Sequence, residues 1–462
     1  MTDSPWLGDT CSLVEAFRSG ERHPVEEMTA TLAAIEASTL NAFTHLEPEQ
    51  ALEAASHADV SQPFGGVPIG IKALTPVQGW PHDECSAALV GEVADHTSLH
   101  VERLQEAGAI GVGQTNASEF GGLNVSINRV YGITHNPWQN GLTAGGSSGG
   151  SASAVAGGLV TIATAGDGGG SIRIPGAFNG LVGMKGTAGR IPRGPKTEIF
   201  PMTVVTGPMA RSVRDVCRWY DVAAGYDSRD PYSLPKIEGW ERDLGSFDLR
   251  GKRAVIAPNL GIAVLRPEVE TRVREAAELL ARDAGLELVE VPVNLPGLGY
   301  EWALTNLCQL KRALGDRWPD CRDDLTTEIA FGLTLAEQHF DLDMMARCEI
   351  ARTEANERMA EVFDSVDFIF AATNPDVAFG AEVYLNQLVG GRAVGPENNG
   401  ALTIPANIVG NPAISVPIEA LDGLPVGLQI IGRHHEDQLL FDLAAIVERE
   451  RPWPLVAPSA PV

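Results

Sequence analysis

Two glycine-rich serine segments constrain this chain more than any other feature. It runs Gly145-Gly-Ser147-Ser148-Gly-Gly-Ser151 and then Gly166-Asp167-Gly168-Gly169-Gly170-Ser171-Ile-Arg173-Ile-Pro175. Neither stretch suits the interior of a helix or strand, where glycine loses more conformational freedom than any other residue. Each must be a loop whose backbone comes close to something, mounted between apolar segments. Ser171 falls 24 residues after Ser147, and Lys72 lies 75 residues before Ser147, at the end of the apolar run Val67-Pro-Ile-Gly-Ile71. Neither loop holds a histidine, the usual base of serine hydrolases. Two hydroxyls and an amine are the polar candidates, which points to nucleophilic hydrolysis with lysine as the base.

Ser171 is the candidate nucleophile. Three glycines precede it, so the amides of Gly168, Gly169, Gly170 and Ser171 can crowd one small volume. An oxyanion needs such donors at about 2.7–3.1 Å. On local pattern alone a tight turn with a capping serine fits equally well. Lys72 can act as a base only if its amine is neutral. A solvated lysine is almost wholly protonated at neutral pH, but burial lowers its pKa. A strand-end lysine that snorkels to solvent is the structural alternative. Ser147 and Ser148 both qualify locally as the hydroxyl between the two.

The segment 141–192 resembles the amidase signature family, through Ala-Gly-Gly-Ser147-Ser148-Gly-Gly-Ser, Gly-Asp167-Gly-Gly-Gly-Ser171-Ile-Arg173-Ile-Pro and Gly-Met-Lys185-Gly-Thr. The resemblance extends to Gly66-Val-Pro-Ile-Gly-Ile-Lys72, Gln114-Thr-Asn116-Ala-Ser-Glu119-Phe-Gly, Gly410-Asn-Pro-Ala-Ile-Ser-Val-Pro417 and Leu424-Pro-Val-Gly-Leu-Gln429. It is dense over 60–215 and 365–450 and thin over about 225–360. It implies a serine–cis-serine–lysine amidohydrolase: Ser171 as nucleophile, Ser147 on a cis peptide as relay, and Lys72 as base. Asp167 and Arg173 become supports of the nucleophile loop. Phe120, Gly121 and Leu123, with Trp302 from the variable region, are the expected substrate contacts, and Leu304 lies beside them. Two departures stand out. Many relatives place an acid after the lysine, where this chain has Ala73, and a bulkier residue where it has Gly168.

Composition limits the alternatives. The net charge is −26, which argues against nucleic acid and anionic membrane surfaces as partners. No apolar run is long enough for a transmembrane helix, and the N-terminus has no signal-peptide pattern. The six cysteines show neither metal-clip nor disulfide-framework spacing, so a cytoplasmic setting is expected. His82-Asp83-Glu84-Cys85 lacks the spacing of convergent metal ligands. No metal and no cofactor are expected. The expected partner is a small-molecule amide, and a homodimer is compatible with the resemblance.

Helical patterns alternate with short apolar strands, which gives an α/β fold. Helices are expected from Thr10 to Arg18, from Pro24, over 48–58 and over 97–107, with strands at 42–46, 67–71, 109–112 and 160–164. In the variable region, strands at 252–257 and 286–291 bracket a helix over 268–282, and a long helix covers 343–363. The resemblance sharpens this to one large, mixed, mostly parallel sheet flanked by helices on both faces. The expected organisation is a single domain, 1–462, with 225–360 as a mostly helical specificity region and a loose tail from Pro452.

Two other functions compete. The glutaminase component of a tRNA-dependent amidotransferase shares the signature. Such components usually carry an arginine and a tyrosine that hold glutamine's charged end, a pattern that Gly332-Leu-Thr-Leu-Ala-Glu-Gln-His-Phe340 lacks. An α/β-hydrolase esterase would use Gly145-Gly-Ser147-Ser-Gly149 as its nucleophile turn, but Asn140-Gly-Leu-Thr-Ala-Gly is a poor strand to lead into it. A catalytically dead binding module is disfavoured by the intact lysine and serines.

Overall fold

The structure, a computed structural model, describes residues 4–196 and 203–460. Its centre is an eleven-stranded sheet. From edge to edge the strands are Phe43–Leu46, Ile110–Thr115, Pro68–Lys72, Ile162–Asp167, Val205–Ala210, Val182–Lys185, Ala413–Leu421, Leu424–Gly432, Phe368–Ala372, Arg253–Ile256 and Glu287–Leu288. Adjacent residues alternate between two cores: Ile162 and Ala210 pack with one apolar cluster, Ala163 and Met209 with the other. That period of two places a helical layer on each face. One layer includes Thr10–Ser19, Val213–Ala223, Pro267–Ala284 and Asp437–Glu450, and the other Pro24–Ala37 and Gly149–Ala156.

The mixed α/β sheet agrees with expectation, but the parallel majority does not. Four of the ten strand junctions are parallel and six are antiparallel. The antiparallel run is continuous from Ile162–Asp167 to Phe368–Ala372. Part of it is a hairpin: Asp422 and Gly423 both take positive φ between Leu421 and Leu424, and a two-residue connection can join only antiparallel neighbours.

Most elements start where the local chemistry predicts. Asp9 caps the first helix by accepting from Ser12 N at 2.9 Å, and Pro24 opens the second. Three expectations need correction. Leu286–Val291 contracts to the two-residue edge strand Glu287–Leu288, whose side chains are exposed. Gln139–Thr143 is a strand, but it pairs with His135–Asn136 outside the central sheet and so cannot serve as the strand of a hydrolase nucleophile turn. The C-terminal tail is docked. Ala457 N donates to Ala156 O at 2.7 Å, and Ser459 Oγ reaches the carbonyls of Pro137 and Trp138. The variable region joins the same sheet through Arg253–Ile256 and Glu287–Leu288, is otherwise irregular up to Pro267, and is largely helical from there to Phe363.

Candidate active site

Lys72 ends a strand whose five residues are all buried. Parallel pairing to Ile110–Thr115 on one side and Ile162–Asp167 on the other holds that strand in the middle of the sheet. Its backbone N–H donates to Thr164 Oγ1 at 2.8 Å. The amine does not snorkel: Nζ donates to Ser147 Oγ at 2.7 Å, both residues being buried. Burial lowers the lysine's pKa from 10.5 to about 8, although the nearby Asp167 carboxylate partly opposes this. Ala73 lies in a small apolar cluster with Cys85 and Ala117, so no carboxylate follows the lysine to keep it charged.

Gly146–Ser147 is a cis peptide bond. Ser148, the rival hydroxyl, is taken up by the backbone of Gly166, accepting from its N–H and facing its carbonyl, both at 3.3 Å. Gly121 adjoins Ser147: a Cβ there would lie 3.4 Å from Ser147 Oγ and 3.2 Å from Leu74 Cδ1. Gly121 also has a φ of 70°, so two independent constraints favour glycine.

Ser171 is buried except for 6% of its surface and lies two residues before the helix Arg173–Asn179. Its hydroxyl makes no hydrogen bond among the described residues, in contrast to the paired hydroxyls of Ser147 and Ser148. The four-amide loop expected from sequence is reduced to three. Gly170 N–H donates to Asp167 Oδ1 at 2.7 Å and is therefore committed. The amides of Gly168, Gly169 and Ser171 have no such partner among the described residues. Gly170 has a φ of 128°, and a Cβ there would meet Thr403 Oγ1 at 2.3 Å. Gly168 has more room, with only Val204 Cγ2 near the Cβ position, at 3.1 Å.

Asp167 and Arg173 form a fully buried ion pair, with contacts of 2.9 Å from Nε to Oδ2 and from Nη2 to Oδ1. Burial alone would raise the Asp167 pKa. The Arg173 guanidinium outweighs it and holds the carboxyl well below the usual range. The remaining guanidinium hydrogens go to Thr403 O, Gln429 Oε1 and Asn407 Oδ1 at 3.0, 2.6 and 2.6 Å. Asn407 Nδ2 returns to the carbonyl of Asp167 at 2.9 Å. Gln429 and Asn407 fall inside the segments that carry the resemblance, but no local pattern ties them to a loop more than 230 residues away. Lys185 is also fully buried; burial, then the Arg173 charge, lowers its pKa to about 7. Its amine contacts only Gly186 O, at 3.2 Å, within the described structure.

The expected substrate contacts divide into different settings. Trp302 reaches the glycine loop, its indole N–H donating to Gly168 O at 2.8 Å. Phe120 is half-buried against the cluster of Trp318 and Ile329, and Leu123 is buried with Val125 and Ile127. Leu304 is buried in the helix Gly299–Leu314. Between these elements, Glu119 accepts from Ser86 Oγ at 2.6 Å and from Thr326 N and Oγ1 at 2.8 and 2.6 Å. It thereby ties the variable region to the segment beside Ser147. A narrow cleft opens at the helix Arg173–Asn179, lined by Ile174, Phe178, Asn124, Asn374, Asn399 and Gly400 among others. The His82–Cys85 groups are engaged locally: His82 Nε2 lies 3.2 Å from Glu84, and Asp83 accepts from Tyr131 Oη and Cys85 N.

The structure thus holds an amine of lowered pKa hydrogen-bonded to a buried hydroxyl, and a second buried serine on a loop with unpaired amides, groups of the kinds that acyl transfer uses. The chain belongs to the amidase family, whose model matches residues 26–441. It is accordingly an amide hydrolase by class. It is 30% identical to an acylamidase of Rhodococcus erythropolis over 97% of this chain and 96% of that protein. It is 34% identical to a glutamyl-tRNA(Gln) amidotransferase component from Chloroflexus aggregans, over 95% of each. Among solved structures, a bacterial aryl acylamidase of the amidase signature enzymes superposes with a TM-score of 0.90 at 27% identity, covering 99% of both chains.

Proposed function

We propose that the protein hydrolyses a neutral, partly apolar amide through an acyl-enzyme on Ser171. Lys72, neutral, takes the proton of Ser147; Ser147 takes the proton of Ser171; and the Ser171 oxygen attacks the carbonyl carbon. The amides of Gly168, Gly169 and Ser171 are the candidate oxyanion donors. The proton held by the relay then passes to the leaving amine or ammonia as the C–N bond breaks. Water repeats the sequence, giving its proton to the relay and its oxygen to the acyl carbon, and the carboxylic acid leaves. The observation that carries this reading is the 2.7 Å contact between a buried lysine amine and the Ser147 hydroxyl.

Neutrality of the substrate is inferred from the lining. Phe120, Leu123 and Trp302 carry no charge. The cleft lined by Ile174 and Phe178, on the helix that follows Ser171, presents amides and apolar groups, and its one carboxylate, Asp376, already accepts from Val377 N and Gly390 N. The test is a panel of anilides, alkyl amides, ureas, carbamates and hydrazides, scored for released amine or ammonia without ATP, metal or a second protein. Turnover of at least one is expected.

The likeness to the amidotransferase component over 95% of the chain supports a second reading, a glutaminase that passes ammonia onward. That reading predicts an isolated chain inert on simple amides and active on glutamine only with partner proteins and charged tRNA. This outcome would displace the first proposal.

A further inference from the structure

The peptide units of the glycine loop are each held by a different part of the chain. Trp302 Nε1 donates to the carbonyl of Gly168 at 2.8 Å, and Thr403 Oγ1 donates to that of Gly169 at 2.6 Å. The carbonyl of Gly170 accepts from Ile174 N at 2.7 Å. In a trans peptide the C=O of one residue and the N–H of the next point in opposite directions. Fixing a carbonyl therefore aims the following amide. Thr403 aims the amide of Gly170, which Asp167 Oδ1 has already captured. The Ile174 contact aims the amide of Ser171. Trp302 aims the amide of Gly169, one of the donors with no partner among the described residues.

We propose that Trp302 is a positioning residue for the oxyanion donor at Gly169, lent to the glycine loop by the variable helical region. The inference rests on the reading of Ser171 as nucleophile. Its physical basis is that glycine has no side chain to restrain its torsions. Three in succession leave the 168–169 peptide free to turn over unless something outside the loop holds it. The indole suits that task. Its ring packs in a small apolar cluster with Leu298, Ala355, Ile404 and Ile408, drawn from three helices and the turn before one of them. A Cβ on Gly169 would lie only 2.8 Å from the ring, so ring and loop are in close contact. The N–H is thus presented from a packed apolar cluster outside the loop it restrains. Trp302 does not need to touch substrate to influence the reaction, and the specificity region acquires a direct connection to the rate.

The test compares two replacements of Trp302. Trp302→Phe removes the N–H and part of the ring. Substitution by 3-benzothienylalanine through amber suppression removes the N–H and keeps the bicyclic shape. Each is measured with a neutral anilide, a phenylalkyl trifluoromethyl ketone and the corresponding carbinol. The ketone becomes a hemiketal oxyanion on the nucleophile, whereas the carbinol cannot. Wild-type protein is first labelled with a fluorophosphonate; absence of an adduct on Ser171 would refute the underlying reading of the nucleophile. With labelling established, the isostere should lower kcat and ketone affinity together by about 10- to 100-fold, less than full loss of an oxyanion donor. KM and carbinol affinity should change by less than about 3-fold, because the isostere keeps the bicyclic ring and any apolar contact it makes with substrate. Parallel losses for ketone and carbinol would assign Trp302 to pocket shape and overturn the proposal. Unchanged ketone affinity, or failure of the isostere to fold, would overturn it as well.

Discussion

Replacing Lys72 by methionine should abolish turnover and change stability in a pH-dependent way that can be worked out from the site. The lysine's pKa is about 8 in the folded chain against 10.5 in water. The folded value is the depressed one, so between these limits the unfolded chain binds more protons and wild-type stability rises with pH. At pH 6.5 both states are charged, and burial of the charge handicaps the wild type by about 3 kcal/mol. At pH 9.5 the folded lysine is neutral while the unfolded one remains mostly charged, which leaves a handicap of about 1 kcal/mol. Methionine carries no such handicap and has similar length. The hydrogen bond lost at Ser147 costs about 1 kcal/mol at either pH and cancels in the comparison. Urea denaturation of both proteins should therefore favour the variant by about 2 kcal/mol more at pH 6.5 than at pH 9.5. In the same samples the wild-type kcat/KM should climb to a plateau above about pH 8, a limb belonging to the coupled lysine–serine pair. A pH-independent stability difference, or near-normal turnover by the variant, would refute the assignment of a neutral lysine base.

Fluorophosphonate should label Ser171, as peptide mapping can show, and Ser171→Ala should remove both label and activity. Ser147→Ala should lower kcat by orders of magnitude while Ser148→Ala changes it far less, since the Ser148 hydroxyl is occupied with Gly166. Arg173→Met should destabilise the protein by about 3–5 kcal/mol, because it strands the buried Asp167 carboxylate, and a denaturant midpoint would register it. Gly121→Ala should reduce kcat with little loss of fold, since the added methyl crowds Ser147 Oγ at a positive φ; steady-state kinetics with a thermal scan would show the split.

The parts of this site that sequence makes legible are those encoded over short distances. An apolar strand ending in lysine and two glycine loops each state their geometry within a few residues. What escapes sequence depends on choices made elsewhere. Whether Gly170 N–H faces an oxyanion or Asp167 is decided by a side-chain orientation that Arg173 and Asn407 enforce. Whether strands run parallel depends on pairing between segments far apart, such as Val182–Lys185 with Ala413–Leu421. The tail from Pro452 looks loose because its composition is that of a linker. Its order comes from carbonyls at Pro137, Trp138 and Ala156 that no property of the tail announces.

The fastening of the glycine loop has a consequence for the order in which the protein comes into being. Arg173 and Asp167 leave the ribosome early, while Thr403, Asn407 and Gln429 follow 230 to 256 residues after Arg173. At about 5–20 residues per second that interval lasts on the order of ten seconds or more. Throughout it, the loop of Ser171 has its local contacts but not these, and Val182–Lys185 lacks its neighbour Ala413–Leu421. The loop that carries Ser171 is therefore fully fastened only once nearly the whole chain has been translated. If Ser171 is the nucleophile proposed above, prematurely terminated products would carry it on a loop that lacks its Thr403, Asn407 and Gln429 contacts.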